Sequence, residues 1–177
     1  MKLRLLPLLV SVTISATLLF GGWFAYQSFA MENPLSAIVS STPGVEHVQT
    51  RISSEAALIE LKLASGTSLR EVYNRIQNEG SGLIGKKELK LKVTNESTPR
   101  MDQWWSSALF DVAQAMETKQ YTQIPKTLQA RALDSEGLKV ATEMDDKYVY
   151  ISLTDGDKSK YLMLPRTSAK MGVWTNG

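Results

Sequence analysis

The first thirty residues and the rest of the chain follow different hydrophobic rules. Residues 5–26, LLPLLVSVTISATLLFGGWFAY, carry no charge and no polar face, a poor pattern for a helix packed on a soluble core. At about 1.5 Å per residue, roughly 20 apolar residues cross a hydrocarbon layer of about 30 Å. The run therefore predicts a transmembrane helix over 5–26 inside an anchor segment 1–30. Pro7 falls in the first turn, where its missing N–H costs least. Trp23, Phe24 and Tyr26 stand at the far end, and aromatic rings favour the headgroup level. Lys2 and Arg4 precede the run and direct the N-terminus to the cytoplasm. The rival is a cleaved signal peptide, because Ser28-Phe29-Ala30 offers small residues before a cut at Met31. Signal-peptide apolar regions are typically ~7–15 residues, shorter than this one. Either reading exports residues 31–177: the first as a single-pass cell-membrane protein, the second as a protein secreted after cleavage at Ala30.

Beyond the anchor, the patterning alternates between periods of 3.6 and 2. Residues 31–44 form a juxtamembrane linker or short helix, with Leu35, Ile38 and Val39 at helical spacing and Pro43-Gly44 closing it. Val45 to Ile52 suits a strand with Val48, Thr50 and Ile52 on one face. Ala57 to Leu63 alternates more strictly, after a turn at Ser53-Ser54-Glu55. Ser68-Leu69-Arg70-Glu71 is a capping-box pattern that opens a helix with Leu69, Val72, Tyr73 and Ile76 on one face. Gly80 and Gly82 end it, and Lys87 to Thr94 follows as a strand with Leu89, Leu91 and Val93 inward.

Thr98-Pro99 starts a longer helix whose stripe is Met101, Trp104, Trp105, Ala108, Leu109, Val112 and Met116. Tyr121 through Pro125 interrupts it, since proline disrupts a helix interior. A shorter helix is expected from about Lys126 to Ser135. The chain then reads as a meander: Leu138 to Met144, a turn at Asp145-Asp146, Lys147 to Thr154, a turn at Asp155-Gly156, and Lys160 to Leu164. Residues 166–177 read as a flexible tail. The fold class is thus α+β: an N-terminal transmembrane helix, then one domain over 45–165 of order (α)ββαβ–αα–βββ. A mostly antiparallel sheet with helices on one face is expected, although two successive sheet-plus-helix units satisfy the same order.

Charge changes the picture more than composition does. The formal +2 lies in Lys2 and Arg4, and the remainder balances 18 basic against 18 acidic residues. A neutral domain lacks the basic footprint of a nucleic-acid binder and of a domain held mainly by anionic lipid. The chain has no cysteine and one histidine, His47, so thiolate chemistry, cysteine zinc sites and histidine clusters are ruled out. No G-x-S-x-G elbow supports a serine nucleophile. Asp155-Gly156-Asp157 begins like a calcium loop, but the sixth and twelfth positions are Lys160 and Arg166 where glycine and glutamate are required. Gly80-Ser81-Gly82-Leu83-Ile84-Gly85 follows a helix and enters a strand, the reverse of a phosphate cradle. Asn95-Glu96-Ser97 is a glycosylation sequon that matters only in a eukaryotic secretory host. No catalytic, metal or cofactor-binding residues emerge.

The remaining candidates are aromatic. Trp104 and Trp105 diverge by about 100° on a helix, so both fit only at the edges of one apolar face. One ring could be buried and the other exposed to anchor a partner. Tyr148 and Tyr150 face away from Val149 and Ile151 and could form a strip on a wet sheet face. Trp105, Tyr148 and Tyr150 are accordingly the candidate partner-binding residues.

Three stretches carry a resemblance: Pro43-Gly44-Val45-Glu46-His47-Val48; the Trp104 helix with Tyr121 and Ile124-Pro125; and Tyr148-Val149-Tyr150-Ile151 to Leu164-Pro165-Arg166. The whole arrangement resembles small single-pass membrane proteins of bacilli and related Gram-positive bacteria, a group of uncharacterised function that supplies no catalytic residues. The first half also looks like ring-building and BON-type envelope modules, in fold alone. These readings together lead to the expectation of a non-catalytic, membrane-anchored extracytoplasmic interaction module of a bacterial cell envelope. Its partners would be the membrane, through residues 5–26, and another envelope protein or itself. The alternatives are a sensor or ligand-binding domain for a small envelope molecule, marked by a pocket between helices and sheet, and then an envelope hydrolase.

Overall fold

A computed structural model describes residues 5–166; the tail read over 166–177 lies, apart from Arg166, outside the described residues. The uncharged run forms α1, Leu5–Gln27. Two of its hydroxyls are satisfied within the helix, Thr13 donating to the Leu9 carbonyl at 2.9 Å and Thr17 to that of Thr13 at 2.8 Å. The helix does not stop near residue 30. A π-helical turn, Ser28–Glu32, carries it into α2, Asn33–Ser40, with helical backbone angles at Glu32 and Asn33. Pro34 gives the physical reason. Proline lacks an N–H and its ring crowds the carbonyl four residues back. The wider turn, in which Asn33 N–H reaches Ser28 O, relieves that crowding without ending the helix. The run Leu9–Ser40 is one helix of 32 residues, long and apolar enough to cross a membrane.

The chain divides into two compact units. The first takes the chain up to Leu61 and Arg75–Lys92, and the second takes Lys62–Asn74 and the chain from Val93. Each holds a three-stranded sheet, where a single sheet was expected; the two-unit reading of the element order is the one adopted.

In the first sheet the order is β1 (Val45–Ile52), β2 (Ala56–Leu63), β3 (Glu88–Val93). The β1–β2 turn closes on Ser53, whose N–H donates to Ala56 O at 2.8 Å while its Oγ accepts from Ala56 N–H at 3.0 Å. Glu88 N–H donates to Glu55 O at 2.9 Å, and Lys92 meets Glu60 at 3.0 Å further along. The partners advance together, so β3 runs parallel to β2. Parallel neighbours need a long crossover, supplied by α3 (Leu69–Glu79) and the single turn α4 (Ser81–Ile84). The alternation read for β2 holds: Ala57, Ile59, Leu61 and Leu63 are all buried.

Two side chains of the long helix fasten it to this sheet. Glu32 Oε1 accepts from the N–H of Ile52 at 3.0 Å, and Gln27 Nε2 donates to the carbonyl of the same residue. Both main-chain groups at the end of β1 are thereby satisfied. Leu35 and Val39 of α2 are fully buried, so the helix that carries the apolar run also contributes to the unit's core. Gly80 marks the closest approach. A Cβ there would lie 2.6 Å from Ile76 O and 2.9 Å from Leu35 Cδ1.

The second sheet is an antiparallel meander, β4 (Leu138–Met144), β5 (Tyr148–Asp155), β6 (Lys158–Pro165). Asp155 pairs with Lys158, so the two-residue loop is Gly156-Asp157, one residue later than the turn read from the sequence. Gly156 at φ +63 takes the strained position, as glycine does at the first centre of a type II′ turn. Helices α5 (Pro99–Glu117) and α6 (Gln123–Leu133) belong to this unit. Thr98 caps α5, its hydroxyl accepting from Met101 N–H at 3.1 Å. Helix α6 starts ahead of Pro125 rather than after it. Pro125 occupies the first turn, where N–H groups have no intrahelical partner, so it is tolerated.

Gly80→Ala is expected to destabilise the protein by about 1–3 kcal/mol through overpacking, read as a lower urea midpoint; an unchanged midpoint would show that the contact relaxes freely. Glu32→Ala is expected to speed amide hydrogen exchange at Ile52 by at least about tenfold, since a bond to a charged acceptor is worth roughly 1.5–3 kcal/mol.

Candidate functional site

The aromatic side chains singled out from the sequence do not form a surface. Trp105 is 9% exposed and belongs to the core of the second unit, with Met101, Ala108, Val112, Val149, Ile151 and Leu153. Positions 101, 105, 108, 112 and 115 follow a 4-3-4-3 spacing, an inward stripe that takes in Trp105. Trp104, one residue round the helix, is half-buried against the same cluster. The interval between α5, α6 and the sheet, where a ligand pocket would have marked a sensor, is filled by these side chains.

Tyr148 and Tyr150 do face away from the Val149 face, but that second face is not wet. Tyr73, from the start of α3, packs against both, with ring centroids 5.3 Å and 6.2 Å away. Tyr150 is 2% exposed and Tyr148 is half-buried. Segment 62–74 is held there by polar bonds as well. Ser68 Oγ donates to Glu143 Oε2 at 2.6 Å and accepts from Glu71 N–H at 3.2 Å, so the capping hydroxyl also ties the helix to β4. Arg70 Nε reaches Glu143 Oε1 at 3.2 Å, and the Tyr161 hydroxyl donates to Ala64 O at 2.8 Å.

The most organised polar group in this unit is built on Asp145. Its Oδ1 accepts from the N–H groups of Lys147 at 2.7 Å and Tyr148 at 2.8 Å, and its Oδ2 from the Tyr150 hydroxyl at 2.5 Å. Burial works to raise the Asp145 carboxyl. The bond from Tyr150, then those from the two N–H groups, with the charge of Lys147, prevail and hold it below the ordinary aspartate range. Tyr150 moves the other way: burial first, then the bond to the Asp145 carboxylate, raises its hydroxyl far above the usual tyrosine value. Arg166 donates to the Asp145 carbonyl, and its guanidinium lies 4.5 Å from the centre of the Tyr121 ring. This is a turn lock, which uses up the polar atoms of Tyr150 rather than presenting them.

Exposure falls elsewhere. Phe110 on α5 is 80% exposed and Leu133 at the end of α6 is 88% exposed, with Leu109 less so at 43%. Between their helices runs the bridge from Arg131 Nη2 to Asp111 Oδ2, 2.7 Å long. Asp111 and Gln114 also line a groove of about 290 Å³ beside α6. Sequence reasoning passed over Phe110 because the stripe drew attention to what lies on it. The available signal was the converse, a phenylalanine on the polar flank next to Asp111. Leu109, placed on the inward stripe from its spacing, sits at the stripe's open edge. Among the described residues, no three His, Asp or Glu side chains converge as a metal site would require. His47 lies exposed on β1, with Gln49 Nε2 3.5 Å away.

Because the folded-state pKa of Asp145 is depressed, its contribution to stability is complete above the unfolded value and is lost as pH falls through the folded one. Asp145→Asn should flatten the acid limb of a stability–pH curve, and Tyr150→Phe should cost roughly 1.5–3 kcal/mol at neutral pH. Thermal melts across the acid range check both. Scans of family models and searches of curated proteins and solved structures find no match to this chain.

Proposed function

We propose that this chain is a non-catalytic, single-pass interaction module of a bacterial cell envelope. Residues 31–177 are displayed outside the cytoplasm, and the outer face of α5 and α6 engages another envelope protein or a second copy of the chain. The observation that carries the interaction reading is the exposure of Phe110 and Leu133, at 80% and 88%, well beyond that of Leu109 and Met144, the other exposed large hydrophobic side chains among the described residues of this unit. Interfaces place aromatic and aliphatic anchors inside a polar rim, and Asp111, Arg131 and Gln114 supply polar groups of that kind.

Support for the anchor comes from the helix itself. None of the most apolar window of Leu9–Ser40 is buried, which favours lipid over a protein core as its surroundings. The orientation rests on Lys2 and Arg4. Retention, rather than cleavage at Ala30, is favoured by the clamp on Ile52: Gln27 lies before such a cut and Glu32 after it. A cut there would separate the two halves of one fastening.

A photo-crosslinking residue placed at Phe110 or Leu133 is expected to capture a discrete partner in intact cells, whereas one at the buried Trp105 is not. Capture of nothing from either exposed position, in a protein still retained in membranes, would sink the interaction reading.

A further inference from the structure

Where the apolar helix meets the first unit it forms one wall of a groove of about 340 Å³. Trp23, Tyr26 and Met31 line the helix side, Ser53 and Ser54 the β1–β2 turn, and Lys87 the third side, just before β3. The bonds from Gln27 and Glu32 to Ile52 hold the walls together, so the groove is part of the fastened structure. Trp23 and Tyr26 are exposed, their ring centroids 6.4 Å apart. Below them the helix surface is open and apolar, with Phe20, Leu19 and Leu18 all exposed.

Lys87 is the informative residue. Its neighbours on β3 are paired, Lys90 with Glu88 at 3.3 Å and Lys92 with Glu60 at 3.0 Å. Lys87 is half-buried, and among the described residues it joins no ion pair. No side chain lining the groove is acidic, and Lys87 is the one charged residue among those that line it; the nearby Glu32 carboxylate is engaged by Ile52 N–H. A half-buried cation flanked by two hydroxyls and two rings, at the mouth of an apolar helix, matches one chemistry. That is a phosphodiester whose polar end is anionic and whose other end is hydrocarbon.

We propose that this groove binds the headgroup of an anionic phospholipid. Lys87 meets the phosphate, Ser54 donates to its oxygens or to the headgroup hydroxyls while the Ser53 hydroxyl stays with Ala56 O in the turn, and Trp23 and Tyr26 flank it at the level such rings prefer. The acyl chains descend along the open face of α1. The site rests on the membrane-anchored reading above. It is compatible with a neutral domain, because one local cation acts here rather than a basic face. The apolar walls favour a lipid over a free phosphate, which would leave them exposed to water.

The full chain reconstituted into vesicles of equal phosphatidylcholine and phosphatidylglycerol, washed at alkaline pH and extracted in mild detergent, provides the test. Lipid retained by the protein is then identified by native mass spectrometry. Phosphatidylglycerol is expected to dominate the bound lipid. Lys87→Gln should reduce that preference by about fivefold, the usual worth of one basic residue at an anionic surface. Lys87→Arg should keep it, and the exposed control Lys126→Gln should leave it unchanged. Loss of the protein in the alkaline wash would overturn the anchor reading and this site together. Retention without a phosphatidylglycerol preference, or equal loss in Lys87→Gln and Lys87→Arg, would overturn the site alone. Complete displacement of the lipid by soluble glycerol phosphate would assign the groove to a free phosphate instead, against the proposal.

Discussion

The first unit depends on the two bonds made to one residue, Ile52. A strand that ends beside a helix leaves a main-chain N–H and carbonyl facing it, and burying either without a partner costs about 1–3 kcal/mol. Glu32 and Gln27 satisfy both from a single helix. Spaced five apart, they span the π-helical turn, which carries the helix past Pro34 without ending it. Leu35 and Val39 then enter the core one and two turns later. The polar fastening and the buried pair Leu35 and Val39 thus join the same helix to the sheet at successive turns.

The second unit solves a different problem. Its meander has two faces to cover, and α5 and α6 cover only the one that bears Val149, Ile151 and Leu153. The other is covered by a short piece of chain from far back in the sequence, 62–74, which brings Tyr73 onto Tyr148 and Tyr150. Asn95 finishes the same segment by acting as a strand residue: its amide exchanges bonds with Leu63 N–H and C=O at 2.8 Å and 2.7 Å. Tyr73 closes the end of that face near Tyr148 and Tyr150, and among the described residues of this unit the two most exposed large hydrophobic side chains, Phe110 and Leu133, lie on the helices.

Local chemistry was legible in the sequence to the extent that it was local. The Ser68 and Thr98 caps, the alternation from Ala57 to Leu63 and the uncharged helix all follow from neighbours within a turn or a strand. What misled were features whose meaning depends on distant partners. Tyr148 and Tyr150 alternate as a wet face would, and only the return of Tyr73 closes that face. Pro125 read as an interruption because the start of α6 could not be placed to within a turn, and proline changes meaning over that distance. The Trp104-Trp105 pair shows that one of two adjacent rings could be buried, but only the packing of α5 on Val149, Ile151 and Leu153 selects Trp105.

The continuity of the long helix has a mechanical consequence. Thirty-two residues span about 48 Å, while the hydrocarbon layer accounts for about 30 Å. In a bilayer the surplus acts as a rigid lever, and Leu35 and Val39 lock the first unit to its far end. Transmembrane helices adjust to membrane thickness by tilting, on average about 20° from the normal. A flexible linker would absorb that rotation. With the helix in a bilayer, a change of tilt would turn the first unit through the same angle, so that the thickness of the layer would set its inclination.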